Sequence, residues 1–275
     1  MDESKSLEEW AEEIHSTIEE VMPEVKEKEE LAGAFLSGGV DSSYVLALSD
    51  VEQSASCGYD EPRFDESPLA KETADLLGRE NNRCRITPEV YFGIVPWVMY
   101  HMEQPLGDAS AIAFAIACRE VAEHIDICYS GEGVDEFFGG YNMYHNAEKY
   151  GENLDTFYVG NTNIMKEDEK KRILKHYNPD IRPVDLAAGI YKEAEGMDPL
   201  TKMSDVDIQI WLEGDIYLNV DKMSRAAGVE IRMPFTDCRI FDIASRMPAR
   251  YKINDGQNKV AFRTACLLYT SPSPR

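Results

Sequence analysis

Positive charge is scarce in this chain. It carries 28 Lys and Arg against 51 Asp and Glu, a formal net charge of -23 at pH 7. A surface of that sign repels phosphate backbones, which argues against a nucleic-acid partner. A small nucleotide is not excluded, because backbone N–H groups and Mg²⁺ supply positive charge locally. Cysteine pairs are also missing. The six cysteines include no C-x-x-C, and no His pair sits at zinc-finger spacing, which argues against a structural zinc. Cys57, Cys84 and Cys128 fall in short apolar runs, where a reduced, buried thiol is the usual state, and a reducing cytoplasm is the expected compartment. There is no apolar run of about 18 residues, and the acidic N-terminal stretch is the opposite of a signal peptide, so no membrane span is expected. What remains is 275 residues, 43% hydrophobic and 10% aromatic. That is enough for one large domain, or for a sheet domain with a helical annex.

Leu7, Trp10, Ile14, Ile18 and Val21 recur at helical spacing, so residues 1–29 read as an amphipathic helix, stopped by Pro23, and a charged link. Strand and helix then alternate. Strands are expected at 31–36, 54–59, 83–87 and 126–129. Helices are expected after 43, at 66–77 with Gly78 as its stop, at 88–102 with a kink at Pro96, and at 109–124. This order predicts an α/β fold, a doubly wound parallel sheet covered on both faces. Beyond Tyr141 the chain reads as mainly helical. Ligands of such sheets bind beyond the carboxyl ends of the strands. The loops at 37–43 and 130–136 sit at that edge.

The first loop is Ser37-Gly38-Gly39-Val40-Asp41-Ser42-Ser43, between a strand and a helix. Gly38 and Gly39 let the backbone turn tightly and approach an anion. The helix start offers free N–H groups and its positive dipole end. No Lys is present, unlike G-x-x-x-x-G-K-[ST]; Asp41 makes sense if it holds Mg²⁺ against phosphates. A capped Gly-rich turn is the bland alternative. The second loop, Ser130-Gly131-Glu132-Gly133-Val134-Asp135-Glu136, crowds three carboxylates after a buried strand. They repel one another unless a cation or a functional role compensates, although acidic residues also simply favour helix starts. Asp108 or Ser110 reads as a helix cap, as does Asp237. Glu230 and Arg232 share a face of an extended run and read as a structural ion pair or a substrate contact.

Taken in order, these motifs resemble the synthetase domain of glutamine-dependent asparagine synthetase, within the ATP-pyrophosphatase superfamily. The resemblance covers about residues 30–265 and extends through Asp221-Lys-Met-Ser224, Glu230-x-Arg232-x-Pro234-Phe-x-Asp237 and Lys259-x-x-x-Arg263. It implies an adenine nucleotide alpha hydrolase-like sheet and an ATP- and Mg²⁺-dependent, AMP-forming ligase. By this resemblance the first loop (Ser37, Gly38, Gly39, Asp41, Ser42, Ser43) holds pyrophosphate. Backbone around Phe35, Leu36, Cys57 and Gly58 faces adenine, and Ser130 and Gly131 face the ribose and α-phosphate. Asp41 and Asp135 bind the metal, Glu132 serves the acyl-adenylate step, and Lys259 stabilises developing charge. Read without the family, Lys259 is an ordinary surface lysine. The implied substrates are aspartate, or another small carboxylic acid as in lactam-forming cyclases, and ammonia. A non-catalytic nucleotide-binding module is the reading from another class.

Two departures follow. The family's usual glutaminase uses an N-terminal cysteine, whereas residue 2 here is Asp, so nitrogen is expected from ammonia or a separate glutamine amidotransferase. Residues 266–275 break from the acidic, periodic sequence before them. One reverse translation resembles a transposase-library adapter read in frame, so this segment is expected to be a sequencing artefact and the domain truncated; an ordinary Ser/Pro tail is the alternative.

Overall fold

The computed structural model describes residues 1–25, 31–105, 107–161 and 165–270. Most of the expected charged link and the end of the tail, 271–275, lie outside them. Five strands, β1 (Ala32–Phe35), β2 (Gln53–Tyr59), β3 (Glu80–Ile86), β4 (Ile127–Tyr129) and β5 (Glu230–Arg232), form one parallel sheet in the order β3-β2-β1-β4-β5. The central strands are short, small-residue or apolar segments, Ala-Gly-Ala-Phe and Ile-Cys-Tyr, as burial on both faces requires.

Six helices belong to the sheet's first half: α1 (Leu7–Val25), α2 (Val40–Ser49), α3 (Ser67–Leu76), α4 (Pro88–Met102), α5 (Ser110–Val121) and α6 (Val134–Phe138). On one face Ala34, Leu36, Ile127 and Tyr129 share a core with Trp10, Ile14 and Ile18 of α1, Tyr44 of α2, Phe235 and Phe262. On the other, Ala55, Cys84 and Cys128 pack with Val98 of α4, Ile116 of α5 and Met223. The six thiols are free, and burial pushes Cys57 up to about 11 and Cys84 up to about 12. A third cluster, around Tyr144, Leu154, Tyr158, Leu200 and Met203, holds the mainly helical later half together.

The strand order has one consequence for function. From β1 the chain steps outward to β2 and β3, then crosses back to place β4 on β1's other side. Connections leaving β1 and β4 therefore diverge, and a crevice opens beyond their carboxyl ends. The two glycine-rich loops start there.

Two expectations need correction. Pro23 does not stop α1, which runs to Val25. Pro23 lies on the exposed face of the last turn, and buried Val21 and Met22 hold that turn in place. The later half also contributes a strand. β5 is three residues with charged ends, lies in the run read as extended at Glu230 and Arg232, and pairs in register with β4. Helix α4 continues through Pro96. Gly78, at φ +67, follows α3 as expected. No described helix is long and apolar enough to cross a membrane.

Helix α1 packs chiefly on the helix Val260–Thr270, which runs without a break across Ala265 and Cys266. Ile14 and Ile18 are fully buried in that contact's core. Ile14→Ala or Ile18→Ala is expected to cost about 2–5 kcal/mol in urea unfolding, whereas Glu12→Ala, on the exposed face, should stay within about 0.5 kcal/mol.

Candidate active site

The first loop folds on its own hydroxyls. Ser37 N–H donates to Ser42 Oγ at 3.1 Å, the Ser37 and Ser42 hydroxyls meet at 3.0 Å, and Gly39 N–H reaches Ser37 Oγ at 3.2 Å. Gly38 adopts φ +84, and a Cβ there would lie 2.7 Å from Leu69 Cγ, so the position demands glycine. No side chain caps α2 at Gly39, which leaves its N-terminal amides open to an anion.

The second loop closes against the first. A Cβ on Gly131 would meet the Asp41 backbone carbon at 2.9 Å and Ser42 N at 3.0 Å. Ser130 N–H donates to the Arg232 carbonyl at 2.9 Å, tying this loop to β5, and Ser130 Oγ donates to Glu132 at 3.3 Å. Between the loops lies a cavity of about 410 Å³. At one end Phe35 and Phe114 stand edge to face, 5.4 Å between centroids, with Cys57, Ala113 and Ala117 beside them. At the other end are Ser37, Asp41, Ser42, Ser130, Gly131, Glu132 and Asp135. The cavity is apolar where a purine ring would lie and rich in donors and carboxylates where phosphates would lie.

Lys259 joins the two loops. Its ammonium is bonded to Asp41 Oδ2 and lies 2.8 Å from Asp135 Oδ1, with the lysine only 7% exposed. Its backbone sits at φ +57, a conformation that a non-glycine residue holds at a cost of about 1–3 kcal/mol. Arg263 N–H donates to the Lys259 carbonyl at 2.8 Å, and Arg263 Nε to the Asn258 carbonyl at 2.9 Å, which fixes the bend. Gly140 makes room for the pair: a Cβ would fall 1.8 Å from Asp135 Oδ1 and 2.1 Å from Lys259 Cε.

Burial pushes the Asp41 carboxyl up to about 6, opposed by Lys259 and helped by Asp135. Glu132 is also raised, by desolvation and then by Asp135. Asp41 Oδ1 is buried and accepts no hydrogen bond among the described residues. That orphan acceptor beside a second carboxylate fits Mg²⁺, which takes one or two carboxylates and fills its other positions with phosphate oxygens and water. The described residues offer no group of three or more His, Cys, Asp or Glu side chains placed to hold a metal by themselves.

Most of the candidate residues thus converge. Gly38, Gly39 and Ser43 shape the first loop from behind. Gly58 does not reach the cavity: Cys57 and Tyr59 line it, and strand alternation turns Gly58 away, against Arg83. Asp221 pairs with Arg225 and Lys222 with Glu103, neither in the cavity. Glu230 and Arg232 are an ion pair at 2.8 Å, and Asp237 caps the helix Cys238–Arg246. Asp108 accepts from Ser110 N–H at 2.9 Å at the start of α5. Sequence reasoning missed Phe114, Tyr59 and Phe64 as wall residues. Phe114 is the one aromatic in the alanine-rich α5, a signal visible only once that helix is placed against β1 and β2.

The family model for asparagine synthase matches residues 13–272. The chain belongs to the asparagine synthase family. Asparagine synthetase [glutamine-hydrolyzing] 1 of Bacillus subtilis is 35% identical over 271 residues, 85% of this chain and 43% of the relative. A putative asparagine synthetase of Mycobacterium tuberculosis is 27% identical over 291 residues, 92% of this chain and 45% of that protein. Asparagine synthetase [glutamine-hydrolyzing] 3 of Arabidopsis thaliana is 32% identical over 130 residues, 42% of this chain and 22% of its own length. The chain spans less than half the length of these relatives.

Within this family member, Glu136 is buried, accepts from Tyr141 Oη at 2.5 Å, and has its carboxyl pushed up to about 8, mainly by burial. The folded form therefore holds a proton that the unfolded chain releases at lower pH. The resulting stability is complete below the unfolded value and is lost as pH rises through about 8. Glu136→Gln, which keeps the acceptor, should abolish that slope and be the more stable protein at high pH, as read from urea midpoints across pH. Gly140→Ala should displace the Asp135–Lys259 pair and weaken nucleotide binding about tenfold or more in a calorimetric titration, with the fold retained.

Proposed function

We propose that this chain is the adenylating domain of an ATP-dependent, AMP-forming amide ligase, acting on the side-chain carboxylate of aspartate with ammonia as the nitrogen nucleophile. One observation carries the reading: two loops from a single topological switch point are drawn together by Lys259, beside a cavity shaped for a nucleotide. Family membership supports it, as does the activity for which the relatives are named.

ATP lies with its base against Phe35, Cys57 and Phe114, its α-phosphate near Ser130 and Gly131, and its pyrophosphate on the loop from Ser37 to Ser43. The aspartate carboxylate attacks the α-phosphorus. The bond to the bridging oxygen breaks, and pyrophosphate leaves. Asp41 and Asp135 would hold Mg²⁺, which neutralises the pyrophosphate and improves it as a leaving group. Lys259 balances the negative charge that gathers on the α-phosphoryl oxygens, from a site already dry and organised. Ammonia then attacks the acyl carbon, its C–O bond to AMP breaks, and a proton is released. Glu132 is assigned to the acyl-adenylate step; its carboxyl is more basic than an exposed glutamate and adjoins the loop that takes the α-phosphate. The loops hold the reacting groups in register, which supplies much of the rate.

The test is pyrophosphate release from ATP by the 275-residue chain with Mg²⁺ and ammonium, scanned across acids. Aspartate should give AMP, pyrophosphate and asparagine in equal amounts. Glu132→Gln and Lys259→Met should each slow release by about 10²-fold or more, with Glu132→Gln still binding ATP. ATP binding without release for any acid would instead make the domain a binding module, and release with a different acid would move the substrate.

A further inference from the structure

A second cavity, of about 590 Å³, shares no lining residue with the first. Helix α6 separates them: Asp135 lines the first and Phe137 the second, and residues two apart on a helix point to different sides. The polar wall of this second cavity comes from the helix Pro199–Val206 and the short helix Ala249–Lys252.

Lys252 lines it and is only 5% exposed, yet among the described residues its ammonium makes no hydrogen bond and no ion pair. Burial holds its pKa down to about 8, against the pull of Asp198 and Asp205. Asp205 also lines the cavity, is half-buried, and likewise makes no hydrogen bond or ion pair among the described residues. The other charged groups of this wall are taken. Asp198 accepts from Thr201 N–H at 3.0 Å and from its hydroxyl at 2.6 Å, and Arg250 is paired with Glu3. A buried ammonium and a carboxylate that face one space without touching have lost water and gained no direct contact.

A ligand that satisfies both must carry both charges. The apolar part of the lining comes from Phe137, Ile208, Phe241 and Ala244. The volume is in the range of small-molecule sites. The geometry points to a binding site for a free α-amino acid with an apolar side chain, its carboxylate on Lys252 and its ammonium on Asp205. The inference stands apart from the reaction above. Aspartate is a poor occupant, because its second carboxylate would face Asp198 or the apolar wall.

The experiment is isothermal titration of the 275-residue chain with L-leucine, L-methionine and L-phenylalanine. Controls are 4-methylpentanoate, which lacks the ammonium, L-leucinamide, which lacks the carboxylate, and L-aspartate. At least one apolar amino acid should bind, and the leucine analogues missing either charge should bind about tenfold or more weakly than leucine, as for loss of a charge-assisted contact. Lys252→Met and Asp205→Asn should each weaken binding by a similar factor, with unchanged circular dichroism. Asp205→Asn serves alone if the lysine variant does not fold. Absence of binding by every apolar amino acid overturns the site. So does equal binding by wild type and both variants, or tighter binding of L-aspartate than of L-leucine.

Discussion

The bond of Lys259 to Asp41 and Asp135 is the constraint on which the rest of the site depends. Two carboxylates from different loops face each other in a largely dry crevice, an arrangement that repels unless a cation lies between them. The lysine supplies that cation from a residue in a strained backbone conformation, held by Arg263 and by the space Gly140 leaves. Each piece has a physical reason. Without Gly140 the pair does not fit, and without the lysine the loops repel.

Much of this was legible in the sequence, and unevenly so. The two glycine-rich loops are local signals: Gly38 needs a positive φ, Gly131 needs close approach, and both stand right after short apolar strands. The sheet followed from alternation: β1, β2 and β4 have apolar or small-residue runs, while the polar edge strand β3 buries only Cys84 and Ile86. β5 was read only as an extended run at Glu230 and Arg232, because three residues amid helical signals do not announce a sheet strand, and pairing with β4 makes them one. Pro23 misled because a local rule about proline met a helix end held by tertiary packing. Lys259 is the clearest case. By itself it reads as an ordinary surface lysine, and only resemblance to a family pointed inward. Phe114 could not be read at all without the fold, since its role comes from lying against Phe35.

Helix α6 is a short element with two loyalties. Its first half presents Asp135 to the nucleotide cavity. Glu136 turns inward to Tyr141, which Trp211 also contacts at 3.1 Å, and Ser204 anchors the Glu136 carbonyl from the helix Pro199–Val206. This five-residue segment is thus one of the places where the sheet domain and the helical half meet.

Asp41 and Lys259 are 218 positions apart in the chain. During synthesis the first loop, the strand beside it and then Asp135 all emerge before the residue that reconciles them. Until then the two carboxylates lack the ammonium that neutralises them in the fold. On the proposed reading, competence for phosphate binding is therefore a late event, and a bound nucleotide reports that residues 41, 135 and 259 have all reached their places.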